Sequence, residues 1–193
     1  MNYTFQRVLA AVLLVAAVPL FLLLAVLSLF LIGRPVFYRC RRLGMGGKEF
    51  TLYKFRTMKG GEKIILSPAQ EKEWRLYGKI LSDDRVTPWG RLLRRSSLDE
   101  LPQLFNVVRG EMALVGPRPI VREEKVFCGR FCDRILSVKP GITGLWQVLG
   151  RNLVTYRRRN AINLWYVRHR SWELDIRIIL KTFGAVISCR GAF

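Results

Sequence analysis

V-L-A-A-V-L-L-V-A-A-V-P-L-F-L-L-L-A-V-L-S-L-F-L-I-G, residues 8–33, carries no charged side chain and hardly a polar one. At about 1.5 Å per residue the run makes a helix of roughly 39 Å. A hydrocarbon core is about 30 Å thick, so the segment is long enough to enter or cross it. Pro19 stands near the middle, where it removes a backbone hydrogen bond and crowds the preceding turn. Arg7 flanks one end; Arg34, Arg39, Arg41 and Arg42 flank the other. Basic flanks favour the cytoplasmic side, and here both flanks are basic. A helix broken at Pro19 that enters and leaves by one face fits this pattern. So does a kinked single span, and the residues alone leave both open. A signal peptide fits poorly, because the apolar run is too long for its core and no small-x-small cleavage site follows.

Outward from this run the chain is strongly basic. Its 193 residues hold 33 Lys and Arg against 14 Asp and Glu, a formal charge of +19. Such a chain seeks anions: nucleic acid, anionic headgroups or phosphorylated substrates. Half the residues are apolar, which excludes wholesale disorder and suits one ordinary domain. Cys40, Cys128, Cys132 and Cys189 lack zinc-site spacing and a second ligand pair, so reduced thiols are expected.

The remainder reads as a compact, mostly helical α/β domain. Glu49 to Tyr53 alternates as a short strand, and Gly60 and Gly61 mark a loop. Pro68 to Ile80 is helical in pattern. Thr87 and Pro88 form an N-cap and first helical position, opening an amphipathic stretch through Leu92 and Leu93. Ser97 to Val107 reads as a helix. The prolines and glycines of 113–150 imply loops and short elements. Asn160 to Arg170 and Ser171 to Ser188 read as two further helices. Their Trp165, Tyr166 and Trp172, interleaved with Arg168 and Arg170, suit either an interface helix at headgroup depth or a buried seam.

Adjacent carboxylates occur at Asp83–Asp84, Asp99–Glu100 and Glu123–Glu124. Asp99–Glu100 lies in S-S-L-D-E-L-P-Q-L-F-N, just after Arg91, Arg94 and Arg95. Ser97 with Glu100 matches a capping box, the plainer structural reading of the pattern. The chemical reading is that Asp99, held ionised by a helix N-terminus and nearby arginines, attacks phosphorus and contacts Mg²⁺. Helical geometry turns neighbouring side chains about 100° apart, which assigns Glu100 a different role. Arg56, Arg85, Arg94, Arg118 and Arg151 are candidate phosphate ligands through their planar forks. Proline on each side of Arg118 fixes its backbone.

Six stretches match a known pattern in order and spacing: Y-K-F-R-T-M (53–58), S-L-D-E-L-P-Q-L-F-N-V (97–107), G-E-M-A-L-V-G-P-R-P (110–119), K-P-G-I-T-G-L-W-Q-V (139–148), G-R-N (150–152) and L-D-I-R-I-I-L-K-T (174–182). In these the chain resembles the small monotopic phosphoglycosyl transferases, bacterial sugar transferases that begin lipid-linked glycan assembly. The resemblance implies a re-entrant membrane helix over 1–34, broken at Pro19, and a membrane-associated catalytic domain over 35–193 on the cytoplasmic face of the inner membrane. It implies transfer of a sugar-1-phosphate from a UDP-sugar to a polyprenyl (undecaprenyl) phosphate lipid, with release of UMP, as the first membrane step of a glycan pathway. Asp99 becomes the nucleophile and a Mg²⁺ contact, and Glu100 its catalytic partner. Arg56, Arg94, Arg118 and Arg151 become the phosphate-binding set. The partners expected besides these substrates are the inner membrane and a second copy of the chain as a homodimer; nucleic acid is not an expected partner. The chain departs from the family at Ala10 and Asn163, where Asp is usual, and at Val18, where Ser is common. It reads as a minimal catalytic form.

Two other function classes stand against this reading. A membrane-anchored nucleic-acid binder needs a basic groove with stacking aromatics or a recognition helix, and neither is legible. A non-catalytic scaffold would use Asp99–Glu100 only as a cap.

Overall fold

A computed structural model describes residues 2–60, 67–77, 80, 83–149 and 154–187. The first helix, α1 (Tyr3–Ala16), is capped by the Asn2 carboxamide, which accepts from the Thr4 N–H at 3.0 Å. Helix α2 (Val18–Leu31) follows after a 62° bend. The break falls at Ala17, not at Pro19 itself. Proline lacks an N–H and clashes with the turn before it, so it is accommodated at the second position of α2, where no intrahelical acceptor is required. No single described helix is long and apolar enough to cross a membrane; this bent pair passes that test of length and composition.

An antiparallel hairpin comes next, β1 (Phe37–Leu43) and β2 (Glu49–Phe55), running in register from Phe37 opposite Phe55 to Leu43 opposite Glu49. The expected strand at Glu49 to Tyr53 is therefore two residues longer. Its partner is the basic segment after the apolar run, where Arg39, Arg41 and Arg42 interrupt the alternation that would advertise a strand. Helix α3 spans Pro68–Tyr77, so the described helix ends three residues before Ile80. Helix α4 (Pro88–Arg95) opens as expected, with Thr87 Oγ1 accepting from the Gly90 N–H at 2.9 Å.

The largest departure is at Ser97 to Val107. Pro102 cannot donate to a carbonyl one turn back, so the segment divides into a 3₁₀ turn, Leu98–Glu100, and helix α5 (Gln103–Val108). Ser97 adopts a left-handed conformation (φ 57°) and makes no side-chain cap. The capping box is thus absent: the Glu100 N–H donates to the Ser97 backbone carbonyl at 3.2 Å instead.

Strand β3 (Ala113–Val115) leads to the short helices α6 (Lys125–Cys128) and α7 (Cys132–Ile135), then to β4 (Gly141–Thr143), which pairs in parallel with β3. A Cβ on Gly141 would stand 2.1 Å from the Gly116 nitrogen, so this crossing admits no side chain. Helix α8 (Leu145–Leu149), α9 (Tyr156–His169) and α10 (Trp172–Ile187) complete the described chain. Helix α9 starts four residues earlier than the expected Asn160. Its inward face there is Tyr156, Arg159, Asn160 and Asn163, a helical period written largely in polar residues. Among the described residues the fold is mostly helical with two small sheets, consistent with the α/β expectation.

Helix α1 belongs to the core rather than lying beside it. Ala10 is fully buried, and the Gln6 side-chain oxygen accepts from the Leu114 N–H of β3 at 2.7 Å. Arg7 donates to the Val108 carbonyl of α5 at 3.0 Å. Asn106, also fully buried, joins α5 to β2: Nδ2 donates to the Thr51 carbonyl at 2.7 Å and Oδ1 accepts from the Tyr53 N–H at 3.3 Å. The aromatic trio divides in its roles. Tyr166 is buried and donates to Asp175 Oδ1 at 2.6 Å, while Trp165 and Trp172 face outward.

Replacing Tyr166 with Phe removes that donor from a buried carboxylate, a hydrogen bond worth about 1.5–3 kcal/mol. A fall of several degrees in the thermal midpoint, measured in detergent, is the expected outcome. An unchanged midpoint would show that the bond does not support the α9–α10 junction.

Candidate active site

The inward face of β2 reads Phe50, Leu52, Lys54. Phe50 and Leu52 are core residues, and the alternation then delivers a lysine where a third apolar residue would complete the pattern. Lys54 Nζ lies 2.5 Å from Glu100 Oε1 and 3.7 Å from Asp99 Oδ2. Burial works against its charge, but Glu100 and then Asp99 outweigh this and raise its pKa above the ordinary lysine value.

Asp99 is 7% exposed. Burial pushes its carboxyl up to about 6; Lys54 opposes this, Glu100 adds to it, and Arg94 opposes it. The sequence suggested a carboxylate kept ionised by a helix terminus. The structure instead sets it in a short 3₁₀ turn, where desolvation is the largest influence and Lys54 the main counterweight.

Arg118 is held by backbone. The Gly116 N–H donates to the Thr143 carbonyl at 2.9 Å and the Gly141 N–H donates to the Pro117 carbonyl at 2.9 Å, which ties the Pro-Arg-Pro turn to β4. Its guanidinium carbon is 5.9 Å from the Trp146 ring centre. Arg118, Lys54 and Glu100 line one cavity of about 30 Å³, together with Arg42, Gln103, Gln147 and neighbouring backbone.

Of the residues singled out from the sequence, Asp99, Glu100, Arg94 and Arg118 come together around Lys54. Arg94 reaches from α4, its Nε donating to Thr57 Oγ1 at 3.0 Å while its charge acts on Asp99. Arg56 is engaged elsewhere: its Nη2 donates to the Ile32 and Gly33 carbonyls, each at 2.8 Å, at the C-terminal end of α2. Arg151 lies outside the described residues. The other acidic pairs have separate tasks. Asp83 is bonded to Arg85, and Glu124 accepts from the Val121 N–H at 3.0 Å while lying 3.8 Å from Arg42.

Two site residues escaped the sequence reading. Lys54 was legible as the interruption in Phe50-x-Leu52-x-Lys54. Arg159 was hidden in the run Arg157-Arg158-Arg159, although it alone of the three is buried. Its guanidinium carbon is 4.5 Å from the Trp146 ring centre and 5.2 Å from that of Tyr156. Burial, followed by the nearby charge of Arg118, lowers its pKa to about 10.

Glu100, Lys54, Arg42 and Arg118 line the small cavity and Asp99 stands 3.7 Å from Lys54; such a set can present an oxygen nucleophile to phosphorus and balance phosphate charge. The profile of the bacterial sugar transferase family matches residues 1–189. An exopolysaccharide production protein, ExoY, from Sinorhizobium fredii is 43% identical over 196 residues, covering 98% of this chain and 87% of its own. The undecaprenyl-phosphate galactose phosphotransferase of Salmonella typhimurium is 45% identical over 170 residues, covering 83% of this chain and 35% of its own. The UDP-glucose:undecaprenyl-phosphate glucose-1-phosphate transferase of Xanthomonas campestris pv. campestris is 38% identical over 196 residues, covering 97% of this chain and 39% of its own.

Lys54→Met removes the main influence that keeps Asp99 ionised. The Asp99 carboxyl, followed by ¹³C NMR or infrared titration, is expected near pH 6 in the wild type and higher in the variant. An unmoved or lowered value in the variant would refute the pairing.

Proposed function

The chain belongs to the bacterial sugar transferase family and is a transferase; from that premise we propose that it moves a sugar-1-phosphate from a UDP-sugar to undecaprenyl phosphate and releases UMP. The observation that carries this reading is the convergence of Asp99, Glu100, Lys54 and Arg118 from three separate motifs.

In the first step an Asp99 carboxylate oxygen attacks the phosphorus that bears the sugar. A new P–O bond forms to Asp99, the P–O bond to the nucleotide breaks, and its electron pair leaves on UMP. In the second step an oxygen of the lipid phosphate attacks the same phosphorus. The Asp99–phosphorus bond breaks, the carboxylate is restored, and a polyprenyl diphosphate sugar departs. Lys54 offsets the charge of the carboxylate pair, and Arg118 and Arg94 balance the phosphates. Glu100 takes a proton from the incoming lipid phosphate, a role supported by its ionised pairing with Lys54. Arg151 remains a proposed phosphate ligand from its motif alone.

Among the described residues no group of three or more His, Cys, Asp or Glu could hold a metal by itself. Asp99, whose Oδ2 stands 3.7 Å from Lys54 and so beyond hydrogen-bond range, nevertheless fits Mg²⁺, which takes one or two carboxylates and completes its shell with substrate phosphates and water. When bound there, Mg²⁺ would neutralise phosphate charge in the transition state.

The proposed setting is the cytoplasmic face of the bacterial inner membrane, with 1–34 as a re-entrant segment. The two outer ends of the bent pair support this. Tyr3, Gln6 and Arg7 of α1 bond to the body, as do Ser28, Ile32 and Gly33 at the end of α2. Exposed apolar side chains from Val12 to Leu23 lie between these attachments, around the bend.

Detergent-solubilised protein given Mg²⁺, undecaprenyl phosphate and a panel of UDP-sugars is expected to release UMP from at least one. Asp99→Asn should lose turnover by several orders of magnitude while keeping its melting midpoint, and EDTA should silence the wild type. The attacking form is ionised, so kcat/KM should fall as pH drops through about 6. Near-normal UMP release by Asp99→Asn would refute the nucleophile.

A further inference from the structure

The stretch G-I-T-G-L-W-Q (141–147) has no part in the steps above beyond supporting Arg118. Yet three buried polar atoms without a hydrogen-bond partner among the described residues gather there and on the Arg118 side chain itself: Arg118 Nε, Trp146 Nε1 and Gln147 Oε1. Buried polar groups in folded proteins are nearly always satisfied, so the two of these residues that line one cavity, Arg118 and Gln147, point to an occupant that completes them. Of the three atoms, two are donors and one is an acceptor. The acceptor is identified by its own amide, because Gln147 Nε2 donates to the Ile142 carbonyl at 3.0 Å and so fixes which end is oxygen. A Cβ on Gly144 would come within 2.8 Å of that oxygen, so the absence of a side chain there preserves its space.

Gln147 and Arg118 line the same cavity as Lys54 and Glu100. The occupant must therefore offer acceptors to Arg118 and a hydrogen to Gln147. Phosphate oxygens satisfy the first demand, but an ionised phosphodiester has no hydrogen for the second. The cavity measures about 30 Å³, room for about two waters or one small substituent and too little for a sugar ring. Resting on the transferase reading, we propose that Gln147 Oε1 accepts a hydrogen bond from the donor group on C2 of the transferred sugar, the hydroxyl or acylamino N–H beside the phosphate-bearing carbon. Gln147 is then a specificity-determining contact, and sugars lacking a C2 donor are rejected.

The test compares UMP release from the better of UDP-glucose and UDP-galactose with release from its 2-deoxy-sugar analogue and from the same sugar on 2′-deoxyuridine diphosphate. Each is measured on wild type, Gln147→Met and Gln147→Glu, where Met keeps the length without the acceptor and Glu keeps an acceptor. The 2-deoxy-sugar should lower wild-type kcat/KM on the order of 10- to 100-fold. That penalty should shrink to within about threefold in Gln147→Met and persist in Gln147→Glu. A wild type indifferent to the C2 group overturns the proposal even if Gln147→Met does not fold. An equal C2 penalty in wild type and Gln147→Met overturns it as well. A penalty that couples to the ribose analogue instead overturns the sugar assignment and gives Gln147 to the nucleotide. No UMP from any UDP-sugar would remove the proposed UDP-sugar reaction; UMP release without the C2 coupling would remove only this inference.

Discussion

One ammonium group inserted between two adjacent carboxylates organises this protein. Asp99 and Glu100 repel each other, and Asp99 lies almost out of water, so the pair is unfavourable without compensation. Lys54 supplies that compensation from β2, a strand whose other inward residues are fixed in the core. The position of the lysine is thus set by strand geometry rather than by its own flexible stem. Asn106 extends the same logic, because it ties α5 to β2 and so holds the turn bearing the carboxylates beside the strand bearing their counter-charge.

The chemistry is arranged so that no single partner saturates the site. Asp99 is 3.7 Å from Lys54, farther than a hydrogen bond, whereas Glu100 is in close contact with it. Glu100 therefore carries most of the bonding to the lysine and leaves the Asp99 oxygen comparatively uncommitted. A carboxylate raised toward neutral pH by burial is also a more basic oxygen than an ordinary aspartate. In the proposed reaction this favours attack without requiring a separate base.

Much of this was readable before any coordinates. The apolar run, Thr87 with Pro88 as a helix start, and the adjacency of Asp99 and Glu100 rest on local signals; the reactive roles proposed for that pair rest on the resemblance of the longer motif. The failures have physical causes. Ser97-x-x-Glu100 satisfies the rule for a capping box, but the rule presumes a helix, and Pro102 divides the one expected there. The early turn of α9 was obscured because it buries Arg159, Asn160 and Asn163 where apolar residues would have revealed the period. The buried Asn163, in a place where the family usually has Asp, sits on that same face. Arg56 was expected at phosphate from its residue type and motif; a guanidinium serves two helix-terminal carbonyls equally well, and nothing local distinguishes the two uses.

That use of Arg56 has a mechanical side. The end of α2 is gripped by Arg56 on one flank and by the Trp89–Ser28 bond, 2.9 Å long, on the other. Arg56 follows directly on β2, two residues beyond Lys54, along one extended segment. The apolar helix and the lysine of the carboxylate pair are consequently hung on a single short lever, with few soft joints between them. Tilting α2 therefore loads the end of β2 through Arg56 and α4 through Trp89, so the placement of this helix and that of Lys54 are mechanically linked.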